Sequence, residues 1–356
     1  MLRAAGKSRR LLALTGLGLA VVLTTPALSC TTVCLLDHGR VIVAYNYDFD
    51  PPEGLALVNK RGMRKVSAVR IRPATWTAAH GSVTFNQFGR DNPTTGINDS
   101  GLMVSLMWLD ETRYPPDDER PSIGILEWIQ YNLDRHASVA DVLADADAVR
   151  PTSRVPIHYF FADATGDAAT VEFLEGQLVV HRGSTMPVKA LANSTYASSV
   201  AAFEDARRAG SLPTSRSSLD RFVRASMLAG SGGGDPIARG FEVLASVAQP
   251  NFTRWSVVYD LTAREIHFRT DGSPSIRRVT LAGLDFSCRT PVKMLDVTGT
   301  GSGDVTDAFV DYNVSANRAL LEAAFTKATA LPAVPKTVRD AAAAHPGATS
   351  VCEISS

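Results

Sequence analysis

A cysteine stands at position 30, between an apolar leader and a strand-like run, in the sequence Pro26-Ala27-Leu28-Ser29-Cys30-Thr31-Thr32. Ala27 and Ser29 supply the small residues of a cleavage site, and cutting after Ser29 would leave Cys30 at the head of the remaining chain. Its thiol, with an ordinary pKa of about 8.5, would then share a residue with an α-amino group of pKa about 7.7–8.0. Such an amine can take the thiol proton near neutral pH, so one residue supplies both nucleophile and base without an imported histidine. This is chemistry for attacking an amide carbonyl.

The leader places Arg3, Lys7, Arg9 and Arg10 ahead of the apolar run Leu11 to Leu23. It is shorter than the roughly 20 apolar residues of a membrane span, so a signal peptide over 1–29 and an exported mature chain over 30–356, without a membrane span, are expected. The sharper rival is a lipoprotein, whose acylated amine would lose its basicity. Lipoprotein signals usually carry Leu three positions before the cysteine, where this chain has Ala27.

Lys plus Arg and Asp plus Glu balance at 36 each, with no basic block beyond the leader. Neither nucleic acid nor an anionic surface is implied, and a small molecule is the expected partner. The seven His never recur at ligand spacing with Cys or Glu, so no metal and no cofactor is argued. Assembly into a homo-oligomer is left open. Cys34 reads as a small core residue, and Cys288 and Cys352 are available to pair in an oxidising compartment.

The elements that must position Cys30 begin with strand-like runs Thr31 to Leu36 and Val41 to Tyr47, joined by Asp37-His38-Gly39-Arg40. Further strands are predicted at Val66 to Ile71, Ser82 to Phe88 and Leu102 to Trp108, the last two bracketing a turn-rich stretch from Gly89 to Gly101. Helical periodicity covers Ser122 to Leu133 and Val139 to Val149, with Ser138 as a cap. Strands return at Pro156 to Ala162, Ala169 to Leu174 and Gln177 to His181. Helices follow at Ala197 to Ala209, Leu219 to Ala229 and Pro236 to Val247, and then strands at Arg254 to Tyr259, Glu265 to Arg269 and Ser275 to Leu281. Strands in runs and helices in runs imply an α+β fold.

Cys30-Thr31-Thr32, Asn46-Tyr47-Asp48-Phe49, Gly96-Ile97-Asn98-Asp99-Ser100-Gly101-Leu102, Ala192-Asn193 and Asp220-Arg221-Phe222-Val223-Arg224 occur in this order. Together they resemble the choloylglycine hydrolase family, which includes bile salt hydrolases, penicillin V acylases and other linear-amide hydrolases. The resemblance implies a four-layer αββα sandwich of the N-terminal-nucleophile hydrolase type. It also implies that Asp48 holds the Cys30 α-amino group and that Asn193 donates to the oxyanion. Arg221 would favour the thiolate, and a backbone N–H at Trp108 would be the second oxyanion donor. The bland readings are a turn carboxylate for Asp48, a helix cap for Asn193 and a solvated helix charge for Arg221.

Two departures bear on the substrate. Where bile salt and penicillin V enzymes usually place Arg three residues before the aspartate, this chain has Tyr45, whose phenol could donate instead unless Arg40 reaches in. Trp108 stands where bile salt enzymes tend to be polar, and its indole suits an aromatic or long acyl group. Tyr45 and Trp108 are therefore the expected substrate-binding residues. The resemblance suggests, in falling order, penicillin V-like amides, fatty-acyl amides including acyl homoserine lactones, and bile acid conjugates. Acyl transfer from the same thioester is the alternative within this chemistry, and an inactive exported binding protein of the same fold the alternative outside it.

Overall fold

The computed structural model describes residues 29–230, 233–328 and 331–353, so the expected leader, except Ser29, lies outside the described residues. The chain opens on a hairpin. Thr31–Asp37 and Arg40–Asp48 pair antiparallel from Thr31 opposite Asn46 to Asp37 opposite Arg40. His38 and Gly39 close it at φ of 46° and 83°, and two successive left-handed residues make the tight turn whose twist matches paired strands. Glu175 and Gly176 repeat the device at 53° and 79° between Ala168–Leu174 and Gln177–Arg182.

The hairpin sits inside a seven-stranded sheet. Ala190–Leu191 flanks its first strand, while Thr253–Asp260, Glu265–Thr270, Arg277–Thr280 and Gly303–Asp304 extend it on the other side. A nine-stranded sheet runs from Gln177–Arg182 through Ala168–Leu174, Ile157–Ala162, Met103–Trp108, Thr95–Asn98, Ser82–Asn86, Leu55–Asn59 and Lys293–Asp296 to Val310–Asp311.

The second hairpin strand is apolar on both faces because both faces are covered. Ile42 and Ala44 look toward the Pro236–Val247 helix, and the neighbouring Ser218–Ala229 helix covers the first strand, whereas Val43, Tyr45 and Tyr47 look toward the nine-stranded sheet. Between the sheets Phe85 meets Trp255 and Phe268 at ring separations of 6.3 and 5.3 Å. The Ile125–Arg135 helix covers the far face, its Trp128 edge-on to Tyr159 at 4.7 Å. Helices, sheet, sheet, helix is the four-layer αββα order expected.

Several local expectations are corrected. The strand expected over Val66 to Ile71 is Met63–Val66 instead. Beyond it the Ser67 hydroxyl and the Ala68 N–H bond the Glu127 carboxylate, which diverts the backbone from any ladder. Ser122–Gly124 is a short strand paired parallel with Arg150–Thr152, so the helix expected from Ser122 starts at Ile125. That pairing also draws the chain out of the Val139 helix, which ends at Ala144. The turn-rich stretch before Gly101 hides the buried strand Thr95–Asn98. Leu55–Asn59 and Lys293–Asp296 are strands the pattern did not reveal. The tail forms two packed helices, Val314–Lys327 and Lys336–Thr349, and a Cys288–Cys352 disulfide ties in its end.

Candidate active site

Cys30 leads into the first strand and is buried at 5% exposure. Because Thr31 lies opposite Asn46, Cys30 falls beside the end of the second strand, where the Asp48 N–H points at its Sγ from 3.5 Å. The Tyr45 hydroxyl is 3.8 Å from the same sulfur and donates to the Leu106 carbonyl at 3.1 Å. Asp48 is fully enclosed. Its Oδ1 accepts the Thr253 hydroxyl at 2.5 Å, since an irregularity between Thr253 and Trp255 sets Thr253 opposite it. Its Oδ2 is buried with no hydrogen-bond partner.

Burial dominates the electrostatics. It lifts the Asp48 carboxyl to about 7 against the pull of Thr253 and Arg221. Burial, with Asp48 adding, pushes the Cys30 thiol up to about 12, while the Asp48 amide, the Tyr45 hydroxyl and Arg221 act weakly the other way. With Ser29 still attached, the sulfur is held as a neutral thiol.

Arg221 lies in the first turn of the Ser218–Ala229 helix, 1% exposed. Its Nη1 donates to the Ser29 carbonyl at 2.7 Å, the Cys30 carbonyl at 2.8 Å and the Thr31 hydroxyl at 2.5 Å, and its Nη2 to Asn193 Oδ1 at 2.8 Å. One guanidinium thus ties the chain around Cys30 to the Asn193 side chain. With its oxygen held, Asn193 turns Nδ2 toward the Trp108 carbonyl, 2.9 Å away. The N–H and C=O of a strand residue share an edge, so the Trp108 N–H lies on the edge that Asn193 reaches.

The segment carrying Asn193 is pinned on both sides by one carboxylate. Glu172 accepts the Tyr196 N–H at 2.8 Å and lies 3.1 Å from His158 Nδ1, while His158 Nε2 donates to the Ala192 carbonyl at 2.7 Å. Both side chains are fully buried. The Asn193 N–H also donates to the Ser218 hydroxyl at 2.8 Å.

Cys30, Tyr45, Asp48, Trp108, Asn193 and Arg221 therefore converge. Thr195, not Asn193, caps the following helix, accepting from Ser198 N–H. Arg221 is no solvated charge, and its contacts to carbonyls and Asn193 outweigh its effect on the thiol. Arg40 does not reach in, because it pairs with Asp260 at 2.6 Å, which leaves Tyr45 beside the sulfur. Trp108 is half-buried, with its indole Nε1 donating to Asp110 at 2.6 Å. Sequence reasoning missed Thr253, His158, Glu172 and the part played by Ser218. The one histidine inside the apolar run Ile157–Ala162 and the one charged residue inside Ala168–Leu174 were the available signals for His158 and Glu172.

Residues 30–196 match the model of the linear amide C–N hydrolases, choloylglycine hydrolase family. A penicillin V acylase from Pectobacterium atrosepticum is 26% identical, over 74% of this chain and 84% of that protein. The structure of a penicillin V acylase from Agrobacterium tumefaciens superposes with a TM-score of 0.71 at 28% identity, covering 80% of this chain and 98% of that one. A conjugated bile acid hydrolase from Clostridium perfringens shares the fold, with a TM-score of 0.66 at 16% identity over 77% and 98% of the two chains. Strand order, converging residues and these likenesses lead to one assignment: residues 30–196 are those of the choloylglycine hydrolase family, and the protein is a hydrolase of linear amide C–N bonds.

Proposed function

We propose that this protein is an exported amidase of penicillin V acylase type, in which Cys30, freed by loss of the residues before it, is the nucleophile. The observation that carries this reading is the buried, unpartnered Asp48 Oδ2 beside Cys30. A buried carboxylate oxygen without a donor is costly, and the ammonium that cleavage creates on Cys30 is a donor of the right charge. Once that ammonium has given one proton to solvent, the neutral amine takes the Sγ proton as sulfur bonds to the substrate carbonyl carbon.

Asn193 has a second Nδ2 hydrogen beyond the one given to Trp108, and this hydrogen with the Trp108 N–H would hold the resulting oxyanion. The amine of Cys30 passes its proton to the leaving nitrogen as the C–N bond breaks, and water hydrolyses the thioester. Tyr45 is enclosed, so only its hydroxyl faces the reacting sulfur, whereas the half-buried Trp108 offers an apolar plate to the acyl group. A penicillin V-like substrate is favoured by the 26% and 28% identical relatives.

Mass spectrometry of the exported protein, followed by penicillin V turnover, tests the reading. The expected first residue is Cys30, with Cys30→Ala losing turnover by about 10⁴-fold or more. Full turnover by a protein still carrying Ser29, or by Cys30→Ala, would overturn it.

A further inference from the structure

Buried cations ordinarily sit against carboxylates, because an uncompensated charge away from water is expensive. Two cations that line the same cleft depart from that pattern. Lys60 is 2% exposed and, among the described residues, no carboxylate lies within ion-pair distance of its Nζ. Its partners are neutral, the Asp285 carbonyl at 2.5 Å and the Thr290 hydroxyl at 3.0 Å, which leaves one ammonium hydrogen over. Burial lowers its pKa.

Arg90 is 8% exposed, and its guanidinium makes no hydrogen bond among the described residues. Its central carbon lies over the Tyr312 ring, 5.1 Å from the centroid, and among the described carboxylates the guanidinium approaches only its neighbour Asp91, at 3.9 Å. That carboxylate is already engaged by Lys65 at 2.9 Å. The Arg90 N–H is anchored on Asn317 Oδ1 at 2.8 Å, so the backbone beneath the guanidinium is fixed to the Val314–Lys327 helix.

Both cations line one cleft of about 330 Å³, together with Tyr312, Ser350 and the Cys288–Cys352 disulfide. The Tyr312 hydroxyl and the Ser350 hydroxyl are buried there without partners. Of the acids near this wall, Asp311 is paired with Lys293 at 2.6 Å and Asp285 turns its carboxylate to the Ser287 N–H at 2.7 Å. The cleft therefore presents donors and positive charge with their complement missing. It opens beside Leu55–Asn59, with two strands between that strand and Met103–Trp108, and shares no residue with the Cys30 cluster.

We propose that this cleft binds a small anion, a carboxylate or an inorganic oxoanion, between Lys60 and Arg90, with the Tyr312 hydroxyl as a further donor. A planar guanidinium matches two oxygens of either group at once, and the ammonium supplies a point charge from the side. The disulfide holds the Cys352 end of the wall in place, so the bound anion would also brace the C-terminal helix pair.

The test uses the mature, disulfide-bonded protein and replaces chloride by phosphate, sulfate or acetate at constant ionic strength. The expected result is a saturable rise of a few degrees in melting temperature with at least one of these anions. Arg90→Gln and Lys60→Gln should each weaken that anion by about 10-fold or more, with penicillin V turnover unchanged. Should either variant fail to fold, Tyr312→Phe removes only the hydroxyl and should weaken the anion several-fold. A rise that never saturates, or that is equal in wild type and every folded variant, overturns the proposal.

Discussion

Two buried charge clusters of this molecule have opposite characters. In one, Lys65 lies 2.9 Å from Asp91 and 3.0 Å from Asp134, and the Asp134 carboxylate also accepts Trp76 Nε1 and Gln130 Nε2, each at 2.8 Å. Burial works against the Lys65 ammonium, but Asp134 and Asp91 outweigh it and raise its pKa. In the other, around Cys30, an Asp48 oxygen has no donor and the thiol is pushed out of its working range. The first cluster is closed in charge, with Lys65 held between two carboxylates at 3.0 Å or less. The second leaves a buried carboxylate oxygen without a donor, a departure from pairing that marks candidate chemical sites more often than structural charge networks.

Breaking the closed cluster should have the largest effect on stability and none on chemistry. Asp134→Ala removes one of the two carboxylates that hold the buried Lys65 ammonium, together with the acceptor of Trp76 and Gln130, and should destabilise by about 3–5 kcal/mol in denaturant titration, with kcat retained in whatever remains folded. A loss of kcat at unchanged stability would erase the distinction.

Asn193→Ala should act in reverse. It removes one donor from the edge shared with Trp108 and should lower kcat by about 10²–10³-fold, with a small change in KM and in melting temperature. Substituting its support is a finer probe. His158→Gln keeps a donor toward the Ala192 carbonyl and should recover much of the kcat that His158→Ala loses.

The pH dependence sharpens the comparison further. With Ser29 attached, the folded-state pKa of Asp48 is about 7, above its unfolded value near 4. Stability from the protonated carboxyl is fully present below pH about 4 and is lost as pH rises through about 7, at roughly 1 kcal/mol per pH unit. Asp48→Asn in a chain retaining Ser29 should lack that slope. Removal of Ser29 should flatten it as well, since the new ammonium lowers the Asp48 pKa. Identical slopes in all three proteins would show that Asp48 has no unmet partner.

Much of this arrangement is written locally. The opening hairpin follows from His38-Gly39 between two apolar runs, and the helix bearing Arg221 from the Ser217 cap, whose hydroxyl accepts the Asp220 N–H at 3.2 Å. Elements whose reasons are non-local were misread or missed. Thr95–Asn98 looks like loop because Gly96 and Asn98 are turn formers in a turn-rich stretch, yet neighbours on both sides supply its hydrogen bonds. The strand expected beyond Val66 is undone by Glu127, a residue on a helix about 60 positions away.

By itself the sequence determined the α+β class, because turns, caps and apolar periodicity act over a few positions, while its ordered motifs, through their resemblance to a known family, pointed to the layer order and to the residues that meet at the site. Only the tertiary structure decided that Thr253 faces Asp48, that Arg221 grips carbonyls rather than the sulfur, and that Glu172 pins both sides of Asn193. Those contacts join residues tens to hundreds of positions apart, and their energetics depend on how completely packing excludes water, a quantity no local pattern contains.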